Sequence, residues 1–185
     1  MTFAESYQEG LVGVLGKLDL KKVNQAIEWF REARAEERHI FVCGNGGSGA
    51  TASHFACDVL KCASYDRPQR FRIQSLSDPT PTITAFSNDV AYEVIFEEQL
   101  KSFAREGDLV MALSGSGNSP NVVRAVEYAN SIGCRTIALT GHDGGKLGPI
   151  AGLEINVPYP HMGRIEDAHM AVCHMIAYYF IDTEA

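Results

Sequence analysis

The stretch His39–Leu60, HIFVCGNGGSGATASHFACDVL, decides how the chain is read. A short β-branched and aromatic run, HIFVCG, ends in glycines and passes into a helix-like pattern expected over about residues 48–62. Strand, glycine turn and helix in that order are one half of a parallel α/β unit. Gly44, Gly46 and Gly49 also satisfy G-x-G-x-x-G, the dinucleotide fingerprint. That reading needs an acid at the end of the following strand, about 20 residues on. The next strand, FRIQSL (71–76), is followed by Asp78, which lies too far along, and G-K-[ST] is missing after either glycine cluster. A smaller phosphorylated ligand fits this turn better than a nucleotide.

A second unit repeats the first in kind. DLVMALSGSGNSPNVVRAVEYANSIG gives a strand, a serine- and glycine-rich loop and a helix with Pro120 in its first turn. Ser114, Ser116 and Ser119, with Asn118 and free backbone N–H groups at a helix N-terminus, suit a phosphate; an ordinary serine-capped turn is the plainer alternative. RTIALTG and LEINVP read as further strands, with HDGGKLGPIA as a loop holding a short helix between them. Helices are expected at 80–87, over YEVIFEEQLKSFA, and at 164–181. Ahead of all this, apolar residues at three- and four-residue spacing predict two helices in residues 5–37, broken near Gly16 and Asp19. Strands alternating with helices predict about five parallel strands covered on both faces, in one domain.

Composition narrows the function. Of 185 residues, 45% are hydrophobic and 21% charged, enough for a real core. A net charge of -7 without a Lys/Arg run argues against nucleic acid as a partner. MTFAESYQEG does not resemble a signal peptide, and MAVCHMIAYYFI is short for a membrane span. Five cysteines without a C-x-x-C pair predict small buried thiols in a reducing cytoplasm.

His54 and Asp58, four apart, fall on one helical face, and Glu166 and His174, eight apart, lie within about 80° of each other. Two such pairs on two helices could converge on one Zn²⁺ or similar ion. Spacing alone is met more commonly by polar groups on amphipathic helices, the reading given to His39, His142, His161 and His169.

CGNGGSGATASHFACD, FSNDVAYEVIF, GDLVMALSGSGNSPNVVRA, IALTGHDGGKLGPIA and RIEDAHMAVCHMI together resemble the sugar isomerase (SIS) domain proteins, and within them the phosphoheptose isomerases. The resemblance covers nearly the whole chain. It implies a single SIS domain over 1–185, a three-layer α/β/α sandwich with a five-stranded parallel sheet, whose N-terminal helices pack in a homotetramer. It implies interconversion of sedoheptulose 7-phosphate and D-glycero-D-manno-heptose 7-phosphate in a surface-heptose pathway. Carried over by position, Asn45, Gly46, Gly47, Ser48, Asn88 and Asp89 line the sugar, and Ser114, Gly115, Ser116 and Ser119 cradle the phosphate. Asp58 and His174 fall on the acid/base positions; His54, Asp58, Glu166 and His174 fall on the metal positions, with zinc suspected. Three positions depart from the pattern: Asp58 for the usual glutamate, Glu166 for glutamine and Gly163 for aspartate. A phosphosugar-binding regulator of the same fold, or an isomerase of another phosphosugar, are the alternatives; the regulator is disfavoured by the retained acid/base set.

Overall fold

The computed structural model describes residues 1–183. Two helices, α1 (Phe3–Leu15) and α2 (Leu20–Ala35), precede the first strand. Thr2 and Glu5 close a reciprocal capping box on α1, while the Asp19 carboxylate accepts from the N–H groups of Lys21 and Lys22 at the start of α2. That capping is why the chain breaks where Gly16 and Asp19 suggested. The strands follow as β1 (His39–Gly44), β2 (Arg72–Ser75), β3 (Leu109–Ser114), β4 (Arg135–Gly141) and β5 (Leu153–Val157). Between and after them run α3 (Gly46–Cys57), α4 (Thr80–Asp89), α5 (Ile95–Phe103), α6 (Pro120–Ser131) and α7 (Met162–Thr183).

All five strands are parallel, in the order β2-β1-β3-β4-β5. Side chains alternate between faces. Ile40 and Val42 join Leu109, Met111 and Leu113 in a core shared with α1, α2, α3 and α7. Phe41 and Cys43 join Val110 and Ala112 in a second core, under α5 and α6. Two cores on one sheet make the three-layer sandwich. β3 is buried at every residue, whereas the edge strands β2 and β5 are buried only in part, as expected where one side lacks a neighbour.

The differences from expectation are local. The helix expected over 48–62 starts at Gly46, is α-helical to Cys57 and widens into a π-helical turn at Asp58–Cys62. YEVIFEEQLKSFA divides into a 3-10 turn, Tyr92–Val94, and α5. Cys43, Cys134 and Cys173 are buried as expected, but Cys57, at the end of α3, is exposed and Cys62, at the end of its π-helical extension, is half-buried. Among the described residues no helix is long and apolar enough to cross a membrane.

His169 is 1% exposed on α7; its Nε2 donates to the Thr140 carbonyl at 2.9 Å, and Nδ1 has no protein partner. Burial pulls this imidazole down from 6.5 to about 4, against a smaller opposing effect of the Thr140 carbonyl. Between those values the unfolded chain binds a proton that the native chain refuses. Stability contributed here is therefore full above pH 6.5 and lost as pH falls toward 4, by up to about 3 kcal/mol. Urea midpoints of the wild type should fall across that window, and a His169→Gln variant should lose this part of the slope.

Candidate active site

The strand order reverses between β1 and β3, since the chain runs outward from β1 to β2 and then crosses to β3. Crevices at the carboxyl ends of strands at such a switch point are where open α/β sheets bind ligands. The glycine turn after β1 and the serine loop after β3 flank this crevice. Gly46 adopts φ +51, the left-handed conformation that favours glycine, with open space where a Cβ would point. Gly47 lies beside the Glu166 carboxylate: a Cβ on Gly47 would stand 3.1 Å from Glu166 Oε1. Ser48 is buried beneath the turn.

In the second loop the Ser114 hydroxyl donates to Ser119 Oγ at 3.4 Å, and Ser116 Oγ accepts from the Asn118 N–H at 3.2 Å. The loop is pinned from outside. Leu147 N–H donates to the Gly117 carbonyl and Lys146 N–H to Asn118 Oδ1, so the chain just after β4 holds the serine loop. Gly115 lies under Met162 at the start of α7.

α3 and α7 run side by side in the same direction. Gly47 faces Glu166 near their starts, and His54 and Asp58 face His174 further along. His54 Nε2 is 3.1 Å from Asp58 Oδ2, His174 Nε2 is 3.7 Å from the same oxygen, and the two imidazole nitrogens are 3.3 Å apart. One ligand atom from each lies within 4.8 Å of the others, a group of three that could hold a metal ion. The side chains of His54 and His174 are 50% and 42% exposed, so the group opens to solvent. Behind it, burial keeps the Cys173 thiol protonated.

Other positions fall elsewhere. Glu166 stands eight residues before His174, about 12 Å along α7, and its carboxylate is at the glycine turn. Asn88 and Asp89 are exposed at the end of α4 and bonded to each other at 2.7 Å. The space that a side chain at Gly163 would need is taken by Tyr7: a Cβ there would be 2.9 Å from its hydroxyl, which donates to Asp167. His161 packs edge-on against the Tyr7 ring. A cavity of about 630 Å³ at the β2 edge is lined by Ser53, Cys57, Lys61, Asp78 and Phe103, but by none of the three clustered groups. Sequence reasoning missed Asn121 and Tyr92, which bond to Asn45 across the crevice.

A switch-point crevice flanked by a glycine turn and a serine loop, with an acid and two histidines along one helix seam, is the layout of an α/β protein that takes a ligand at the carboxyl ends of its strands. Residues 5–141 match the model of the SIS domain family. A probable phosphoheptose isomerase from Thermoplasma volcanium is 41% identical over 137 residues, 74% of this chain and 69% of its own. A phosphoheptose isomerase from Vibrio vulnificus is 36% identical over 159 residues, 85% and 82% of the two chains. The solved phosphoheptose isomerase of Neisseria gonorrhoeae superposes with a TM-score of 0.85 at 32% identity, covering 96% of this chain and 94% of that one. That of Francisella tularensis gives 0.88 at 29% identity, covering 98% and 99%. The chain belongs to the phosphoheptose isomerase family of SIS-domain proteins, and it is a phosphosugar isomerase.

Proposed function

We propose that this isomerase interconverts sedoheptulose 7-phosphate and D-glycero-D-manno-heptose 7-phosphate through an enediolate. The observation that carries the proposal is the meeting of His54, Asp58 and His174 on the α3–α7 seam, in a member of this family. Aldose–ketose isomerisation moves one proton between adjacent carbons and another between their oxygens, so it needs a base at carbon and an acid at oxygen. Asp58 Oδ2 faces both imidazoles, which leaves Oδ1 to take the carbon-bound proton. His174 carries the proton between the oxygens. Ser114, Gly115, Ser116 and Ser119 hold the phosphate, and that remote binding energy fixes the reacting carbons at the seam. Glu166, beside the glycine turn, receives sugar hydroxyls. Asn45, Gly46, Gly47, Ser48, Asn88 and Asp89 complete the proposed sugar surroundings.

Two imidazole nitrogens and a carboxylate oxygen within 4.8 Å suit zinc, which His54, Asp58 and His174 would hold loosely, because a tightly ligated carboxylate or imidazole cannot also exchange a proton. Such an ion supplies polarisation of the substrate carbonyl. Glu166 as a fourth ligand requires its side chain to turn from Gly47 toward His174. We read residues 1–185 as one SIS domain, because Val14 and Val23 of the N-terminal helices enter the same core as the sheet. Phe3 and Val12 on α1 and Leu20 on α2 are 80%, 64% and 56% exposed, which supports a homotetramer formed through these helices. Five free cysteines support a cytoplasmic setting.

The deciding experiment follows sedoheptulose 7-phosphate by NMR with purified protein, after chelation and after zinc is returned. Appearance of the aldose, abolished by chelator and restored by zinc, is the expected result. No conversion by folded protein that still binds phosphate would remove the heptose assignment.

A further inference from the structure

We propose that Asn121 and Tyr92 are positioning residues of this site: they hold the Asn45 amide so that the glycine turn and the serine loop keep a fixed spacing across the β1–β3 crevice. The proposal rests on the isomerase reading above and goes beyond it, since neither residue belongs to the sugar or phosphate set.

Asn45 is the N-cap residue of α3, and asparagine is a favoured cap there, yet its side chain makes no cap hydrogen bond. The amide is used elsewhere. Asn45 Nδ2 donates to Asn121 Oδ1 at 2.8 Å, and Asn121 Nδ2 donates back to Asn45 Oδ1 at 2.9 Å. The Tyr92 hydroxyl donates to the same Asn45 oxygen at 2.9 Å. Two opposed bonds between planar amides fix orientation as well as distance. The pair joins the end of β1 to the second residue of α6, hence one wall of the crevice to the other.

Asn121 is 1% exposed, and its oxygen also accepts from the Val122 N–H at 3.0 Å. It is a buried, satisfied amide that presents nothing to a ligand. Asn45 Oδ1, with two lone pairs, already accepts twice, so it cannot take a sugar hydroxyl; one Nδ2 hydrogen is all that remains for the substrate. The role of Asn45 is then chiefly to place the backbone of Gly46 and Gly47. Tyr92 closes the arrangement from the other side and, with Gly46 and Ser77, walls a hollow of about 220 Å³ beside the turn.

The test uses Tyr92→Phe, Asn121→Ala, Asn45→Ala and the Asn45→Ala/Asn121→Ala double variant of the full chain. Tyr92→Phe, which loses one hydrogen bond and keeps the ring, should raise KM about fivefold with kcat little changed, and Asn121→Ala should raise KM about tenfold or more. The double variant should be no worse than Asn121→Ala alone, to within about twofold, because the two amides act as one unit. Inorganic phosphate, which the proposed function places at the serine loop, should bind Tyr92→Phe as it binds wild type. A fall in kcat matching the folded fraction, with KM unchanged, would mean that the pair serves stability alone and would overturn the proposal. So would additive losses in the double variant.

Failure of the isomerase reading is seen separately, as wild-type protein without turnover. The clamp is then read without ligand, through the Gly49 N–H, which bonds to the Asn45 carbonyl at 3.1 Å. Its hydrogen exchange should accelerate about tenfold in Asn121→Ala; unchanged exchange would overturn the proposal on its own.

Discussion

Asp58→Asn and His174→Gln are each expected to lower kcat by about 10²- to 10⁴-fold, the usual contribution of a positioned acid or base. Folding should survive, because both side chains are partly exposed at the seam and neither belongs to a hydrophobic core. Circular dichroism and a thermal scan beside the kinetics would check this. Turnover retained in both variants would remove the two residues from the mechanism. Asp58→Glu combined with Glu166→Gln is the informative companion. It lengthens the carboxylate at the three-residue cluster and removes a charge from the glycine turn, restoring the pattern of the resembled family. Heptose turnover at least equal to wild type is expected. A loss would show that this chain's two acids are matched to a different sugar.

Gly117→Ala is expected to destabilise the fold by about 4 kcal/mol, the sum of a left-handed backbone cost and an overpacking cost. Gly117 has φ +64, and a Cβ there would run into the Gly144 carbonyl, which is backbone and cannot rotate away. For a chain of this length the thermal midpoint should drop by roughly 10 °C. Phosphate affinity should fall as well, since Gly117 lies between Ser116 and Ser119. A midpoint within about 2 °C of wild type would mean that the loop moves aside more easily than its packing indicates.

The sheet was legible because its central strands are short apolar runs bounded by glycine, serine and proline, and because helices of 3.6-residue period separate them. The π-helical turn at Asp58–Cys62 was not, since a change of period over five residues leaves no trace in apolar spacing. At the site, the pairing of His54 with Asp58 was sound because four residues separate them by only one helical turn. Glu166 and His174 add a second consideration: an angle around a helix ignores the rise along it, and eight residues set the two Cα atoms about 12 Å apart along the axis, with the Glu166 carboxylate beside Gly47. Asn121 and Tyr92 escaped for a different reason. Their partner Asn45 lies 76 and 47 residues away, and neither residue carries a charge or sits in a spaced motif that would announce the contact. Gly163 stands where the resembled family has aspartate, and Tyr7 fills the room that a side chain there would need.

Because every strand points the same way, the molecule has a working end and an idle one. The turns at Glu36–Arg38 and Glu106–Gly107 lie beyond the amino ends of β1 and β3, a full strand length from the crevice. Glu36 and Glu106 are exposed there. A dye, an affinity tag or a surface tether attached at either glutamate would leave the crevice unobstructed, and immobilised protein linked through that end would present its pocket uniformly outward.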